Sequence, residues 1–126
     1  MAAATFFRLL ARVVVCPALA TSPCVDQPLL PAYSHNDYRN KRPLLGALDR
    51  GYVGAEVDLL RVAESLQVGH DRDELQATRT LSRLYLDPLR DRLRQCGFIL
   101  ADSTTFLLNV DLKESDDAAF RLLLDE

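Results

Sequence analysis

Apolar positions along the chain come in short runs that close on polar residues, and the spacing inside the runs alternates between extended and helical. LLPAYSH, residues 29–35, is a short apolar run ending in polar side chains. RPLLGALDRG, 42–51, has a proline early, apolar residues at helical spacing and Gly51 where the pattern stops, so a short helix is predicted. VGAEVDLL, 53–60, reads as a strand, and ESLQVGH, 64–70, as a short extended return. TRTLSRLYLDPLRDRLRQCG, 78–97, is amphipathic, with Leu81, Leu84, Leu89 and Leu93 on one side. Pro88 breaks or restarts that helix, because it lacks the N–H a helix interior needs. TFLLNVDLK, 105–113, predicts a buried strand. DDAAFRLLLDE, 116–126, predicts a third helix with Asp116 and Asp117 at its positive end.

Strand, helix, strand, helix, strand, helix predicts an α/β chain of about three βα units, with parallel pairing and right-handed crossovers. Apolar stretches such as Phe106 to Leu108 suit a strand covered on both faces. In such sheets, chemistry gathers at the carboxyl ends of the strands.

Composition adds bounds. With 126 residues, 48% hydrophobic and 26% charged, the chain is ordinary globular protein. A formal charge of −3 and the lack of a long basic block give no footing for nucleic acid. The first twenty residues have no acid, Arg8 and Arg12 early, an apolar stretch from Val13 to Leu19 and a closing Ala18-Leu19-Ala20. That pattern predicts a signal peptide over 1–20 and a secreted or periplasmic protein. A mitochondrial presequence is the rival, since the two arginines share one side of an amphipathic helix. The apolar run is too short to span a bilayer. Residues 21–28 then form an N-terminal segment and 29–126 the folded domain. Losing Arg8 and Arg12 takes the charge from −3 to −5. Cys24 and Cys96 remain, and they either pair in an oxidising compartment or stay as two inert thiols. Neither has zinc-ligand spacing.

Each proposed strand carries reactive groups at its end. The first ends in His35-Asn36, the second in Glu56-x-Asp58, the return in His70-Asp71 and the third in Asp111-x-Lys113. Residues i and i+2 of a strand share a face about 7 Å apart, so Glu56 and Asp58 lean on one point, as do Asp111 and Lys113. Charges gathered on a buried face are costly without compensation, and a divalent cation compensates them. Carboxylates from Glu56, Asp58 and Asp111 with the amide oxygen of Asn36 make a hard donor set, suited to one Mg²⁺ or Ca²⁺ rather than zinc. A histidine on each side, His35 and His70, can work as acid and base near neutral pH. Singly, each feature has a plain structural reading: a solvated face, arginine partners, or an ion pair before a helix. Their joint placement at successive strand ends is what points to a site.

Ser34-His35-Asn36-Asp37-Tyr38, Gly54-Ala55-Glu56-Val57-Asp58, Val68-Gly69-His70-Asp71 and Leu108-Asn109-Val110-Asp111-Leu112-Lys113 together resemble the phospholipase C-like phosphodiesterase superfamily. That superfamily includes glycerophosphodiester phosphodiesterases and phosphatidylinositol-specific phospholipases C. TLSRLYLDPL, 80–89, is similar to a subgroup with the fungal "altered inheritance of mitochondria" proteins. The resemblance runs from about Pro31 to Lys113. It implies a phosphoric diester hydrolase acting on a glycerophosphodiester or phospholipid-like substrate. By the same resemblance, His35 and His70 are the catalytic pair and Glu56, Asp58 and Asp111 hold the cation, Asp111 standing where many relatives have Glu. Asn36 is then a ligand as in the phosphoinositide enzymes, and Lys113 serves the phosphate. The implied fold is a TIM-type (β/α)8 barrel, which takes ~250 residues. About three βα units are its N-terminal part, so the expectation is a truncated barrel, a piece of a longer product, or a barrel completed by a second chain. The alternative is a non-catalytic remnant that binds a cation or phosphate.

Overall fold

The computed structural model describes Cys24 and residues 27–29, 31–101, 104–114 and 116–126. The signal peptide expected over 1–20 and most of segment 21–28 lie outside the described residues. In chain order the elements are β1 (Tyr33–Ser34), a 3-10 turn (Asp37–Arg39), α1 (Leu45–Asp49), β2 (Gly54–Val62) and β3 (Ser65–Val68). A second 3-10 turn (Arg72–Glu74), a π-helical turn (Ser82–Leu86), α2 (Asp87–Cys96), β4 (Leu107–Leu112) and α3 (Asp117–Leu124) follow. The fold is α/β, with β1, β2 and β4 parallel and β3 antiparallel to β2.

β2 is the centre of the sheet, and its register explains where chemistry can collect. β4 runs along one edge, from Gly54↔Leu107 to Leu59↔Leu112. The other edge is shared: β1 pairs only at Gly54 and Ala55, and β3 only from Leu59 to Val62. Between them, beside Glu56 and Val57, no strand among the described residues pairs with that edge, and the Gly69 N–H closes it at Asp58 O, 3.1 Å away. The chain leaves β1 into that gap at His35, and β3 returns into it at His70.

The two faces of β2 differ by the period of a strand. Ala55, Val57 and Leu59 meet Leu44, Leu48, Leu81, Tyr85 and Leu100 in one apolar core. Burying each Val or Leu side chain of this core contributes about 1.5–3 kcal/mol. Glu56 and Asp58 point to the opposite face, at 8% and 0% exposure. Gly54 lies on that face too, where a Cβ would come within 2.9 Å of both Leu107 O and the Tyr33 ring.

Helix boundaries follow local chemistry. α1 stops at Gly51, whose φ of +73° is the left-handed region that favours glycine. Pro88 sits in the first turn of α2, so the helix restarts there after the π-helical turn. α2 ends on Gly97, also left-handed, whose N–H bonds Leu93 O. Asp116 caps α3 by accepting from the Ala119 N–H at 2.6 Å.

Two expectations change and one open alternative closes. TFLLNVDLK is not buried on both faces: Leu108, Val110 and Leu112 join the core, but Leu107 is 62% exposed. Among the described residues β4 pairs only with β2, so its far edge and outer face have no layer against them. Leu93, expected on the buried side of its helix, is half exposed, since α2 has no fully buried residue and meets the core through Leu89, while Leu81 and Tyr85 ahead of it are buried. The open cysteine question resolves to pairing, with Cys24 and Cys96 joined in a disulfide across 72 residues of sequence. No helix among the described residues is long and apolar enough to cross a membrane.

Candidate active site

Register does most of the assembly. Asp58 pairs with Asp111 across the β2–β4 ladder, so the two carboxylates stand on one face at the inter-strand spacing of about 4.8 Å. Glu56 lies two residues back on the same strand. Oxygens of Glu56, Asp58 and Asp111 fall within 4.8 Å of one another. The Lys113 N–H donates to Leu59 O at 2.9 Å and extends the ladder, which puts its side chain on the face of Asp111. The ammonium Nζ lies 2.7 Å from Asp111 Oδ2 and 3.2 Å from Asp58 Oδ2.

At the open edge, Asn36 adopts φ 49° and ψ 44°, a left-handed conformation that asparagine tolerates. This turn aims its N–H at Glu56 Oε2, 2.8 Å away. His35, with 73% of its side chain exposed, brings Nε2 to 3.3 Å from the same oxygen. From the other side, His70 Nδ1 lies 2.7 Å from Asp58 Oδ2. The Glu74 carboxylate fixes this second loop, accepting from the His70 N–H at 2.9 Å and from Arg39 at 2.9 Å. The seven residues expected at the site are thus linked in one network, in which only Glu56, Asp58 and Asp111 share a common point.

Asp58 is the electrostatic hub. Its Oδ2 receives Tyr38 OH at 2.8 Å as well as His70 and Lys113. Burial pushes the carboxyl up, but hydrogen bonds from His70, Tyr38 and Lys113 outweigh it and hold the group below its ordinary 3.8. Asp58 is therefore ionised at neutral pH and can only accept, so His70 Nδ1 carries the hydrogen of this contact. Burial, then Asp58, raise the Tyr38 hydroxyl well above its usual value, which keeps it a neutral donor. Lys113 is held charged, first by Asp111.

The donors fit a hard cation. Asp58 Oδ1 is buried and has no hydrogen-bond partner among the described residues, although its sister oxygen has three. An orphaned buried carboxylate oxygen with two more carboxylates within reach is a donor set that could hold a metal ion. Asn36 Oδ1 joins the group indirectly, 3.2 Å from Tyr38 OH.

Sequence reasoning passed over two residues that build the site. Tyr38 bridges Asn36 and Asp58. Asp37 is fully buried and accepts from Ser34 Oγ at 2.7 Å, Asn40 at 3.2 Å, the Leu44 N–H at 2.5 Å and Tyr85 OH at 3.1 Å. It anchors the turn bearing His35 and Asn36 to α1 and the π-helical turn. Both directly follow two expected site residues, and that adjacency is the signal that was available.

A family model described as an AIM6-like phosphodiesterase domain matches residues 25–98, a stretch that includes His35, Glu56, Asp58 and His70. The protein called altered inheritance of mitochondria protein 6 in Eremothecium gossypii is 34% identical over 116 residues, covering 79% of this chain and 30% of that protein. A homologue of the same name in Arthroderma benhamiae is 35% identical over 111 residues, covering 72% and 35%. The Saccharomyces cerevisiae protein of strain S288c is 30% identical over 112 residues, covering 77% and 29%. The chain thus spans about a third of the length of the curated relatives it matches. No solved structure matches it.

Proposed function

The chain belongs to the AIM6-like phosphodiesterase domain family, and from that premise we propose that its site hydrolyses a phosphoric diester, on a glycerophosphodiester or phospholipid-like substrate, beside one divalent cation. The observation that carries the reading is the unsatisfied Asp58 Oδ1 inside the Glu56–Asp58–Asp111 cluster, with a histidine on either side. Glu56, Asp58 and Asp111 would hold Mg²⁺ or Ca²⁺, with Asn36 as a further oxygen donor. When bound, such an ion supplies charge neutralisation at a phosphoryl oxygen.

The rest falls to the chain's own side chains. Asp58 holds the His70 ring through Nδ1–H, so Nε2 is the atom that takes the proton of the attacking hydroxyl. His35, exposed at the mouth of the open edge, gives a proton to the leaving oxygen. Lys113 places a fixed positive charge where negative charge builds on the phosphate. The parallel neighbours β1, β2 and β4 would be the first part of a β/α barrel over 29–126, completed by further sequence or by a second chain. Residues 1–20 would be an export signal, a reading favoured by the disulfide, which suits an oxidising compartment. The names of the relatives favour the mitochondrial alternative for that segment. N-terminal sequencing of the mature protein and organelle fractionation decide between them.

Hydrolysis of bis(p-nitrophenyl) phosphate with and without EDTA tests the chemistry. Turnover should vanish with EDTA and fall by about 10²-fold or more in the His35→Ala/His70→Ala double variant. Full turnover in that variant would refute the acid–base assignment. A second reading is a cation- or phosphate-binding unit without turnover, favoured by the three carboxylates within 4.8 Å of one another with Lys113 beside them. Calorimetric binding of Ca²⁺ or Mg²⁺ that Glu56→Gln abolishes, with no hydrolysis by the parent chain, would select it.

A further inference from the structure

The position of Lys113 is more specific than a general phosphate partner requires. Its Nζ does not stand at the mouth of the site beside His35. It sits between Asp111 Oδ2 at 2.7 Å and Asp58 Oδ2 at 3.2 Å, both members of the carboxylate cluster. Three carboxylates within 4.8 Å repel one another, and the most buried of them, Asp58, has one oxygen with no partner among the described residues. Neighbouring arginines are engaged elsewhere, Arg39 with Glu74 and Arg72 with Glu114. Among the described residues, Lys113 is thus the ammonium group that lies against the cluster.

We propose that Lys113 is the resident counter-cation of the metal-free site, competing with the divalent ion for Asp58 and Asp111 and displaced toward the substrate phosphate when the ion binds. The inference rests on the metal reading above and adds a second station for one side chain. An ammonium and a dication cannot share those oxygens at contact distance without strong like-charge repulsion. The backbone at Lys113 is tied to Leu59 O, so the exchange is a motion of the side chain alone, over its flexible four-carbon stem. A lysine with two stations serves both states of the site. It keeps the carboxylates from driving the strands apart before the ion arrives, and it brings positive charge to the open edge afterwards.

The test is calorimetric titration of the full chain with CaCl₂ and with MgCl₂, each alone, comparing the parent with Lys113→Met and Lys113→Arg, together with melting curves in EDTA. Lys113→Met should bind the ion at least tenfold more tightly than the parent and melt at a lower temperature without it. Lys113→Arg, which retains the charge, should keep the parent's affinity within about threefold. Equal or weaker binding by Lys113→Met, with the parent binding normally, overturns the competition and leaves the metal reading standing. No binding by any of the three overturns both. Acetylation of the parent chain with and without saturating Ca²⁺, read by mass spectrometry, gives an answer even where a variant fails to fold. Modification of Lys113 should rise at least threefold with the ion, and an unchanged or lower value overturns the proposal.

Discussion

Replacing Tyr38 by Phe removes one oxygen and leaves the ring in place, so it isolates the hydroxyl's hold on Asp58. Both residues are buried, the bond is 2.8 Å long, and its acceptor is an ionised carboxylate. A hydrogen bond to a charged group contributes about 1.5–3 kcal/mol, so a loss of about 2 kcal/mol at neutral pH is expected. At a urea m-value of about 2 kcal/mol/M, the unfolding midpoint should drop by about 1 M. The pH dependence carries the sign. Asp58 is held below 3.8 in the folded chain, so its ionised form stabilises the fold above that pH, and the contribution is lost as pH falls through the depressed folded value. Without the Tyr38 donor the folded value moves up and the contribution shrinks. The two proteins should therefore differ most above about pH 4 and converge in stronger acid, as Asp58 protonates in both. Urea unfolding followed by circular dichroism from pH 7 to pH 2 reads this directly. A difference that persists undiminished at pH 2, or no difference at pH 7, would show that the hydroxyl does not act through the Asp58 charge.

The Cys24–Cys96 disulfide closes a loop across 72 residues, and constraining the unfolded chain by that much is worth about 4 kcal/mol. Cys96→Ser should lower urea stability by that order, and dithiothreitol should do the same to the parent but not to the variant. Gly51→Ala should cost more than about 1 kcal/mol, because the residue has φ +73° and a Cβ would stand 2.1 Å from Gln27 O; a melting temperature unchanged within a degree contradicts this. Asp37→Ala strips the acceptor from the Leu44 N–H and Tyr85 OH, both buried, and should cost about 3 kcal/mol. Tight calcium binding by a fully stable Asp37→Ala chain would show that the turn needs no such anchor.

The order of elements was readable because each has a local cause: apolar periodicity for β2 and β4, Gly51 and Pro88 at helix boundaries, and Asp116 and Asp117 at the positive end of α3. The short β1 was less readable, since only Tyr33 and Ser34 pair before Asn36 turns left-handed. The exposure of Leu107 and Leu93 was not readable at all. Periodicity reports which residues share a face, and says nothing of whether another layer covers it.

Seven chemistry-bearing residues were visible along the chain as endings of extended runs, because a strand's period of two pairs Glu56 with Asp58 and Asp111 with Lys113. Which endings meet depended on pairing between distant segments. The register that sets Asp58 beside Asp111, and the edge of β2 divided between β1 and β3, came only with the folded sheet. The same holds for Tyr38 and Asp37, whose roles lie in bonds spanning 20 and 48 residues, to Asp58 and from Tyr85. Local sequence sets which way a side chain points on its own element, whereas long-range hydrogen bonding sets what it points at.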